Sequence, residues 1–557
     1  MLKKLSLLFH TVKYMRFKQI FYRVYYRFRK VKVSELDAYA QSDLRCKSPG
    51  WRGDAYCRQS IFENESAQFL NKKVDITSSL IWNDSSQAKL WLYNLHYMDD
   101  LSSIGSDVRF RQQLAAVRRW ILENPAAIGN GWEPYPLSLR LVNLIKWVWS
   151  NGVNDPDIDN SIAQQADALR QQPEYHIQAN HLFANAKALV FCGSFLTNKL
   201  GNECFELGLV ILEKEINEQF LEDGGHFELS PMYHSVMLWD IFDLIVLAEN
   251  SNNSRLQKLI PLMKEVAVKG LSWLNSMCHP DGSISYFNDA SSGIAPSFKS
   301  LNSYALKFNL RQNVDTVKDG LLVNDLRNTG FIVITQNGPL DKLIINLSDI
   351  FPNYQPGHAH SDSLSFELSL FGQKVFVNQG VSQYGLGEQR DYERSTEAHN
   401  TVSIDGENSS EIWAGFRVAR RARIVKRIIN NKGGSLEVES AHDGYSRFKT
   451  GRYHTRKWTV SKNRVTISDK MTNAHSCDIV SYYHLHPEIL IEILSDSILQ
   501  LKMPEGPLIT LEFSGGSLSV EDYFYHPGFG LAVKAERIKY NWTHVESEVS
   551  IKWVAND

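Results

Sequence analysis

The sequence has no paired cysteines. Its six cysteines are scattered over 557 residues, and none stands in a Cys-x-x-Cys pair. Zinc-thiolate sites and small disulfide scaffolds depend on clustered or regularly spaced cysteines. The spacing therefore argues against both kinds of site and favours reduced thiols, although bonds between distant cysteines stay open.

Long apolar runs and a strong excess of one charge are also absent. No run of about 18 apolar residues occurs, so we predict no membrane-spanning helix. The formal net charge is -2, whereas nucleic-acid binding usually comes with a basic excess. Nucleic acid is therefore not an expected partner. A chain of 557 residues with 43% hydrophobic composition is long enough for two or three domains.

Acidic residues are missing from residues 1–33, the core of a basic N-terminal segment that we assign to residues 1–35. Its short apolar run, Leu5–Phe9, is followed by no small-residue cleavage site, so we expect no signal peptide and a cytoplasmic or membrane-peripheral protein rather than a periplasmic one. The segment packs on the body through an apolar helix face, or it binds an anionic membrane surface. The basic residues are Lys3, Lys4, Lys13, Arg16, Lys18, Arg23, Arg27, Arg29, Lys30 and Lys32.

Two periodicities divide the rest of the chain. Residues 36–320 repeat apolar side chains every three to four positions, for example in Leu137–Trp149 and Leu209–Ile216, which predicts helices. From residue 321 to 557 apolar and polar residues alternate, which predicts strands. No crossover helix separates these strands, so we expect antiparallel sheets packed as a β-sandwich. A cleft between the two domains is the expected ligand site.

Two groups of polar residues stand out in the helical part. Asn180 and His181 interrupt an apolar helical pattern in which both are poor interior residues, so they need a partner or a function. Tyr233 follows Pro231 at a predicted helix start. The alternative interpretations are a buried, hydrogen-bonded pair and an ordinary core aromatic residue.

Two further groups lie in the β part. Extending the register of the strand around Phe366 backwards places His358, His360 and Asp362 on its core-facing side, where two histidines can converge on a metal ion. Asn378 and His399 could complete such a site; a polar rim is the alternative. The charged run 390–400 is either a solvated loop or a source of arginines that pair with carboxylates.

The order of several motifs resembles the heparinase II/III family of polysaccharide lyases, and the resemblance covers most of the chain. It implies an N-terminal incomplete (α/α) toroid followed by a C-terminal antiparallel β-sandwich, with the active site between them. The motifs are Trp91-Leu92-Tyr93-Asn94-Leu95-His96-Tyr97, Trp132-Glu133-Pro134-Tyr135-Pro136, Asn180-His181, Ser230-Pro231-Met232-Tyr233-His234, Gly357-His358-Ala359-His360-Ser361-Asp362 and Ala398-His399-Asn400-Thr401-Val402.

The resemblance also implies roles for residues. Asn180 would neutralise the substrate carboxylate and Tyr233 would transfer a proton, with His181 and His358 as partners. His360 and His399 fall on a structural site for zinc or calcium. Asn378 stands where the family pattern often has a carboxylate, so the third ligand here carries no charge. The implied substrate-binding residues are Trp132, Glu133, Tyr135, Glu228, His234, Arg390, Arg394 and Asn400.

The expected reaction is β-elimination from an anionic, uronate-containing polysaccharide. An amide that offsets the carboxylate charge makes the neighbouring C5 proton removable, and an acid protonates the leaving O4. A glycan-binding or biosynthesis-associated protein with weak or lost activity is one alternative, favoured by the basic N-terminus. A glycoside hydrolase is another, which needs two facing carboxylates such as Glu133 and Glu228. The sugar, its sulfation, endo or exo action and the oligomeric state stay open.

Overall fold

A computed structural model describes residues 2–39, 50–63, 65–312, 320–336, 340–432 and 434–554. The helices are α1 (Leu2–Val12), α2 (Phe17–Phe28), α3 (Lys89–Tyr97), α4 (Phe110–Glu123), α5 (Pro134–Asn151), α6 (Pro156–Arg170), α7 (Ala179–Phe195), α8 (Lys199–Gln219), α9 (Pro231–Glu249), α10 (Ser254–Gln257), α11 (Ile260–Met277), α12 (Phe298–Leu306) and α13 (Glu388–Glu393). Helices α3 to α12 build the helical domain.

The strands follow mainly after the helical domain. They are β1 (Ile61–Phe62), β2 (Ser66–Phe69), β3 (Lys72–Asp75), β4 (Leu321–Leu326), β5 (Phe331–Gln336), β6 (Asp341–Asn346), β7 (Phe366–Leu370), β8 (Gln373–Phe376), β9 (Val402–Ile404), β10 (Ile412–Trp413), β11 (Arg417–Val418), β12 (Ile424–Lys432), β13 (Ser435–His442), β14 (His454–Ser461), β15 (Arg464–Met471), β16 (Ile479–His484), β17 (Leu490–Ser495), β18 (Ile498–Lys502), β19 (Ile509–Ser514), β20 (Gly516–Tyr525), β21 (Val533–Trp542) and β22 (Glu546–Trp553).

The helical domain is an incomplete (α/α) toroid whose helices share one apolar core. The helices predicted over Leu137–Trp149 and Leu209–Ile216 are confirmed as parts of α5 and α8. Helix α5 begins at Pro134, whose missing N–H costs nothing in a first turn, and ends at Gly152 in the left-handed conformation. Local sequence signals therefore set both ends of this helix.

Helix α9 is apolar enough, over 18 residues with a mean hydropathy of 1.2, to span a membrane by length and composition alone. However, 89% of that stretch is buried inside the protein. A helix that is apolar all round belongs either in lipid or in the centre of a large core. Burial among the other helices assigns α9 to the core.

A small antiparallel sheet, β1-β2-β3, lies within the helical part of the chain. The sequence showed almost no strand signal before residue 320, so this sheet was missed. Its strands have two to four residues, which is too short for a period of two to be recognised. Ala67 and Phe69 of β2 pack into the helical core.

The β domain consists mainly of three antiparallel sheets, which confirms the predicted sandwich class. Their strand orders are β4-β5-β6-β7-β8, β12-β13-β14-β15-β22-β19-β18-β17 and β20-β21-β16-β9. Apolar side chains from all three sheets, among them Phe366, Trp458 and Ile538, form one core. The helix-to-strand change lies between Leu306 and Leu321, and residues 313–319 are outside the described part of the chain.

The expectation that the strand around Phe366 extends back to His358 is wrong. The strand begins only at Phe366, because Leu364 adopts a positive φ of 61° that breaks the extended backbone. His358, His360 and Asp362 therefore lie in the loop between β6 and β7, not on a strand face. In addition, both faces of β7 are buried, because the helical domain covers the polar face: Glu367 accepts a 2.6 Å hydrogen bond from His279.

The basic N-terminal segment packs across both domains. The buried side chain of Gln19 in α2 donates to the carbonyl of Ile177 (3.4 Å) in the helical domain and to that of Tyr354 (3.2 Å) in the β domain. In α1, Thr11 accepts a hydrogen bond from the indole of Trp413. The segment therefore bridges the two domains next to the residues that precede Asn180 and His358.

The described cysteines are free thiols: Cys57, Cys192, Cys204, Cys278 and Cys477. Cys46 lies outside the described residues. Burial raises the pKa of Cys204 and that of Cys278 to about 12, so both thiols are protonated at neutral pH. Neither of these two cysteines is suited to nucleophilic chemistry.

The buried contact between His279 and Glu367 joins the two domains, so its removal should lower the stability of the protein. His279→Leu leaves the buried Glu367 carboxylate with backbone donors only, so we expect the free energy of unfolding in urea to fall by about 2 kcal/mol or more. The double variant His279→Leu with Glu367→Gln should recover part of this loss of stability, because an uncharged amide costs less to bury than a carboxylate.

The matched control is Lys269→Ala, which breaks an exposed ion pair with Glu265 and should change stability by less than about 0.5 kcal/mol. Equal effects of the His279 and Lys269 substitutions would contradict a structural role for the buried contact.

Candidate active site

Three helices of the toroid begin at the same place, opposite the β6–β7 loop. Helix α5 contributes Tyr135, α7 contributes Asn180 and His181, and α9 contributes Tyr233, each within the first turn. The first N–H groups of a helix lack partners in the helix and carry partial positive charge. Three such ends favour an anionic group in the cleft between the domains.

The four predicted catalytic residues meet in this cleft. The rings of Tyr233 and His358 lie with centroids 3.9 Å apart, and the amide Nδ2 of Asn180 lies 3.5 Å from Nε2 of His358. His181 follows Asn180 and packs on Tyr135 with ring centroids 4.3 Å apart. Residues separated by up to 178 positions in the sequence therefore share one site.

Asn180 stands in the first turn of α7, not in the helix interior as the apolar pattern indicated. There, an Asn costs little, because first-turn N–H groups have no helical partner. Its Nδ2 donates to both carboxylate oxygens of Glu228, at 2.8 and 3.0 Å. The preceding residues Gln178 and Ala179 both have positive φ, 68° and 54°. This strained turn aims the Asn180 amide into the cleft.

Asp289 organises the site, and sequence reasoning missed it. Its fully buried carboxylate accepts hydrogen bonds from Nδ1 of His358 (2.8 Å), Nε2 of His360 (2.8 Å) and both terminal nitrogens of Arg390 (2.5 and 2.7 Å). Burial alone would raise the pKa of Asp289, but Arg390 and the two histidines lower it well below its usual value. With Nδ1–H of His358 held by this carboxylate, Nε2 presents its lone pair to the cleft.

The phenol of Tyr233 is a proton donor in the free protein. Its oxygen lies 3.1 Å from that of Tyr384, another residue that the sequence did not reveal. Burial, followed by the proximity of Tyr384 and Asp289, raises the pKa of Tyr233 well above its usual value of 10. The hydroxyl group is therefore protonated at neutral pH.

The surroundings of His181, beside Asn180, favour its charged form. Its Nδ1 donates to the carboxylate of Glu174 at 3.0 Å. Burial opposes the charged form, but Glu174, with Glu228 and Glu133 farther away, outweighs it and raises the pKa of His181. An anion bound at Asn180 would meet a cationic neighbour over a wider pH range than an ordinary histidine provides.

Three of the predicted substrate-binding residues lie at the cleft. Tyr135 packs on His181, and Glu228 holds the Asn180 amide. Glu133 stands near the edge, where Tyr93 and Lys89 donate to its carboxylate. Because both glutamates are engaged by donors of the protein, neither is presented as a free acid or base.

The other five predicted substrate-binding residues are buried and bonded to groups of the protein, and their contact with substrate stays a prediction. The side chains of His234 and Asn400 are completely buried and bond to backbone groups, as at Gly270 and Phe366. The buried residues and their partners are Trp132 on Asn124, His234 on Gly270, Arg390 on Asp289, Arg394 on Ala359 and Asn400 on Phe366.

The predicted metal residues lie directly behind the site. Nδ1 of His360 faces Nε2 of His399 at 3.1 Å, while their outer nitrogens bond to Asp289 (2.8 Å) and to the carbonyl of Ser395 (2.6 Å). Both outer partners are acceptors, so the outer nitrogens carry the protons and the inner ones point lone pairs at each other. Nδ2 of Asn378 is buried without a hydrogen-bond partner. Within the described residues, no three His, Cys, Asp or Glu side chains form a metal-binding group.

The chain is similar to known lyases. It is 27% identical to a heparin-sulfate lyase of Pedobacter heparinus over 334 residues, which are 55% of this chain and 49% of that protein. It is also 27% identical to a heparin-sulfate lyase of Bacteroides thetaiotaomicron over 349 residues, again 55% of this chain and 49% of the relative. The chain therefore spans about half the length of the curated relatives it matches.

Solved structures show the same fold. A heparinase III structure superposes with a TM-score of 0.70 at 18% identity, covering 96% of this chain and 89% of the other. A heparan sulfate lyase from Pedobacter heparinus superposes with a TM-score of 0.57 at 16% identity, covering 97% and 88%. The heparinase II/III N-terminus family model matches residues 111–315, and the heparinase II/III-like C-terminal model matches residues 318–554. Together these models span most of the sequence, and the chain belongs to the heparinase II/III-like family.

Proposed function

We propose that this protein is a polysaccharide lyase that cleaves a uronic-acid-containing glycan by β-elimination. The observation that carries the proposal is the meeting of Asn180, Tyr233 and His358, which supplies an amide donor, a protonated phenol and an imidazole lone pair in one cleft. The relatives named heparin-sulfate lyase support a glycosaminoglycan as the substrate class.

The first step is recognition of the uronate carboxylate. In the free protein the two Nδ2 hydrogens of Asn180 face Glu228 and Nε2 of His358; one would stay with Glu228 and the other would turn from His358 to the uronate. His181, whose charged form is favoured, lies beside Asn180, and the starts of α5, α7 and α9 add partial positive charge. As the C5 proton leaves, negative charge moves onto the carboxylate oxygens. Donors that are already aimed at these oxygens stabilise the transition state more than the ground state.

The elimination then needs a base and an acid. We assign the base to Nε2 of His358, whose other nitrogen is held by Asp289, and the acid to the hydroxyl of Tyr233. His358 takes the C5 proton, the C4–C5 double bond forms as the C4–O4 bond breaks, and Tyr233 protonates O4. For the opposite uronate epimer, the same two residues exchange or share these roles, because their rings are in contact.

A screen of uronate polysaccharides for ultraviolet absorbance of the unsaturated product tests this function. Tyr233→Phe keeps the ring and removes the proton, so we expect turnover to fall by a factor of about 10² or more. Stability should fall by about 1 kcal/mol at most, the worth of the hydrogen bond to Tyr384.

Tyr384→Phe is the matched control, because it removes the same hydrogen bond but leaves the proton donor in place. Its turnover should stay within a factor of about ten of the parent. Full activity in Tyr233→Phe would contradict the assignment of Tyr233 as the acid. Sugar release without absorbance would indicate a hydrolase, and binding without either would indicate a glycan-binding protein.

Asp289→Asn tests the orientation of His358. The amide cannot accept from both histidines while also facing Arg390, so the imidazole loses its fixed tautomer. We expect kcat to fall by a factor of about 10² or more with a smaller change in KM. A rise in KM at constant kcat would show that Asp289 serves substrate binding instead.

We also propose that His360 and His399 hold one divalent ion, zinc or calcium, with Asn378 as a further oxygen ligand. Two ligands of a tetrahedral zinc ion lie about 3.3 Å apart, close to the 3.1 Å between the facing nitrogens. When bound, the ion would remove the repulsion between two lone pairs and stiffen the β6–β7 loop, which carries His358.

Metal analysis of the purified protein should find about one ion per chain, and His399→Ala should abolish it. Asn378→Asp replaces the uncharged ligand by a carboxylate and should raise the affinity for the divalent ion, measured by competition with a chelator. A metal-free protein whose unfolding temperature is the same with added zinc, added calcium or chelator would contradict this site.

A further inference from the structure

We propose that α1 and α2 form a docking surface for an anionic membrane. The surface, called the outer face here, consists of the residues that these two helices turn towards solvent. They are Leu2, Leu5 and Phe9 of α1 and Phe17, Phe21, Val24 and Phe28 of α2.

The outer face of α2 is a continuous apolar stripe. Phe17, Phe21, Val24 and Phe28 recur at spacings of four, three and four residues, which places them on one side of a helix. Their exposed fractions are 81%, 50%, 55% and 80%. Helices on the surface of a soluble domain normally turn such a stripe inwards.

The inward side of α2 is occupied by other residues, so the stripe cannot be the face meant for the body. Gln19 is buried against both domains, the ring of Tyr22 packs on that of Tyr175 at 4.7 Å, and Tyr26 donates to the carbonyl of Pro173. These contacts fix the rotation of α2 about its axis. No other rotation would bury the apolar stripe and keep these contacts. The exposed stripe is therefore a built feature of the folded protein.

Helix α1 repeats the pattern on a smaller scale. Leu2, Leu5 and Phe9 follow each other at spacings of three and four residues and are 81%, 54% and 67% exposed. On the inner side, Ser6 accepts a hydrogen bond from Arg420 and Thr11 one from Trp413. Helix α1 thus contacts the β domain, and α2 contacts both domains, through polar groups. Both helices leave large apolar side chains exposed to solvent.

The charge of the segment selects the partner. Residues 1–33 contain ten basic and no acidic side chains, although the whole chain has a net charge of -2. Two of the ten are engaged by the body, because Arg16 pairs with Glu218 and Lys18 lies over the ring of Tyr175. Exposed aromatic and leucine side chains flanked by lysine and arginine match the interface of a bilayer that contains anionic lipids. Each apolar side chain enters the acyl boundary while the cations stay at the headgroups.

Other occupants fit less well. A second copy of the chain would bring two segments of the same positive charge together across a symmetric interface, where like charges repel. An anionic polysaccharide or a nucleic acid would use the cations and could stack on the phenylalanine rings, but it would leave the aliphatic side chains Leu2, Leu5 and Val24 in water. The combination of both features favours a lipid surface.

Co-sedimentation with vesicles tests this surface in the full-length protein. We expect binding to vesicles of phosphatidylcholine mixed with phosphatidylglycerol, and weak binding to phosphatidylcholine alone. The triple variant Phe9→Ser, Phe17→Ser and Phe28→Ser should bind the anionic vesicles at least about tenfold less. The matched control is Leu490→Ser with Ile493→Ser, two side chains of β17 that are 62% and 60% exposed and lie in another part of the chain.

Several outcomes would overturn the proposal. These are no binding to either vesicle, equal binding to both, or unchanged binding of the triple variant. Light scattering provides a further check: a dimer that the triple variant converts to a monomer would show that a second copy covers the outer face. Unchanged thermal unfolding of the triple variant would show that lost vesicle binding does not come from misfolding.

Discussion

The buried carboxylate of Asp289 is the interaction on which the site depends. It lies between α11 and α12 at the end of the helical domain, whereas its partners Arg390, His358 and His360 belong to the β domain. A carboxylate with no exposure is stable only when its charge is matched and its oxygens are bonded, and removing one partner of such a pair costs about 3–5 kcal/mol. Asp289 therefore joins the two domains at the cleft and fixes the position of His358 there.

The remaining features of the cleft follow from that anchor. Because Asp289 holds Nδ1 of His358, Nε2 points to the helix starts that carry Asn180 and Tyr233, where it meets the amide of Asn180. The hydroxyl of Ser230, which caps α9, donates to the backbone carbonyl of Asp289, so the same residue also positions the helix that carries Tyr233. From the other side, Arg16, which directly precedes α2, donates to Gln178 in the strained turn before Asn180.

Periodicity was sufficient to predict the two domains, because long helices such as α5 and long strands such as β15 repeat their apolar residues over many positions. Periodicity did not reveal two other features of the fold. The polar side of β7 faces the helical domain, not water, and the two- to four-residue strands β1 to β3 are too short to show a period. Motif order pointed to Asn180, His181, Tyr233 and His358, which meet in the cleft, but it could not show that Arg390 binds Asp289. Asp289 was invisible in the sequence because its partners lie 69 to 101 positions away.

Nitrogen NMR of the histidine side chains tests the central claim most directly, because it reports the tautomer of His358 without any substrate. The claim requires a proton on Nδ1, bonded to Asp289, and a lone pair on Nε2. We predict this tautomer in the parent protein and a mixture of tautomers in Asp289→Asn. A proton on Nε2 in the parent protein, or an unchanged tautomer in the variant, would contradict the account.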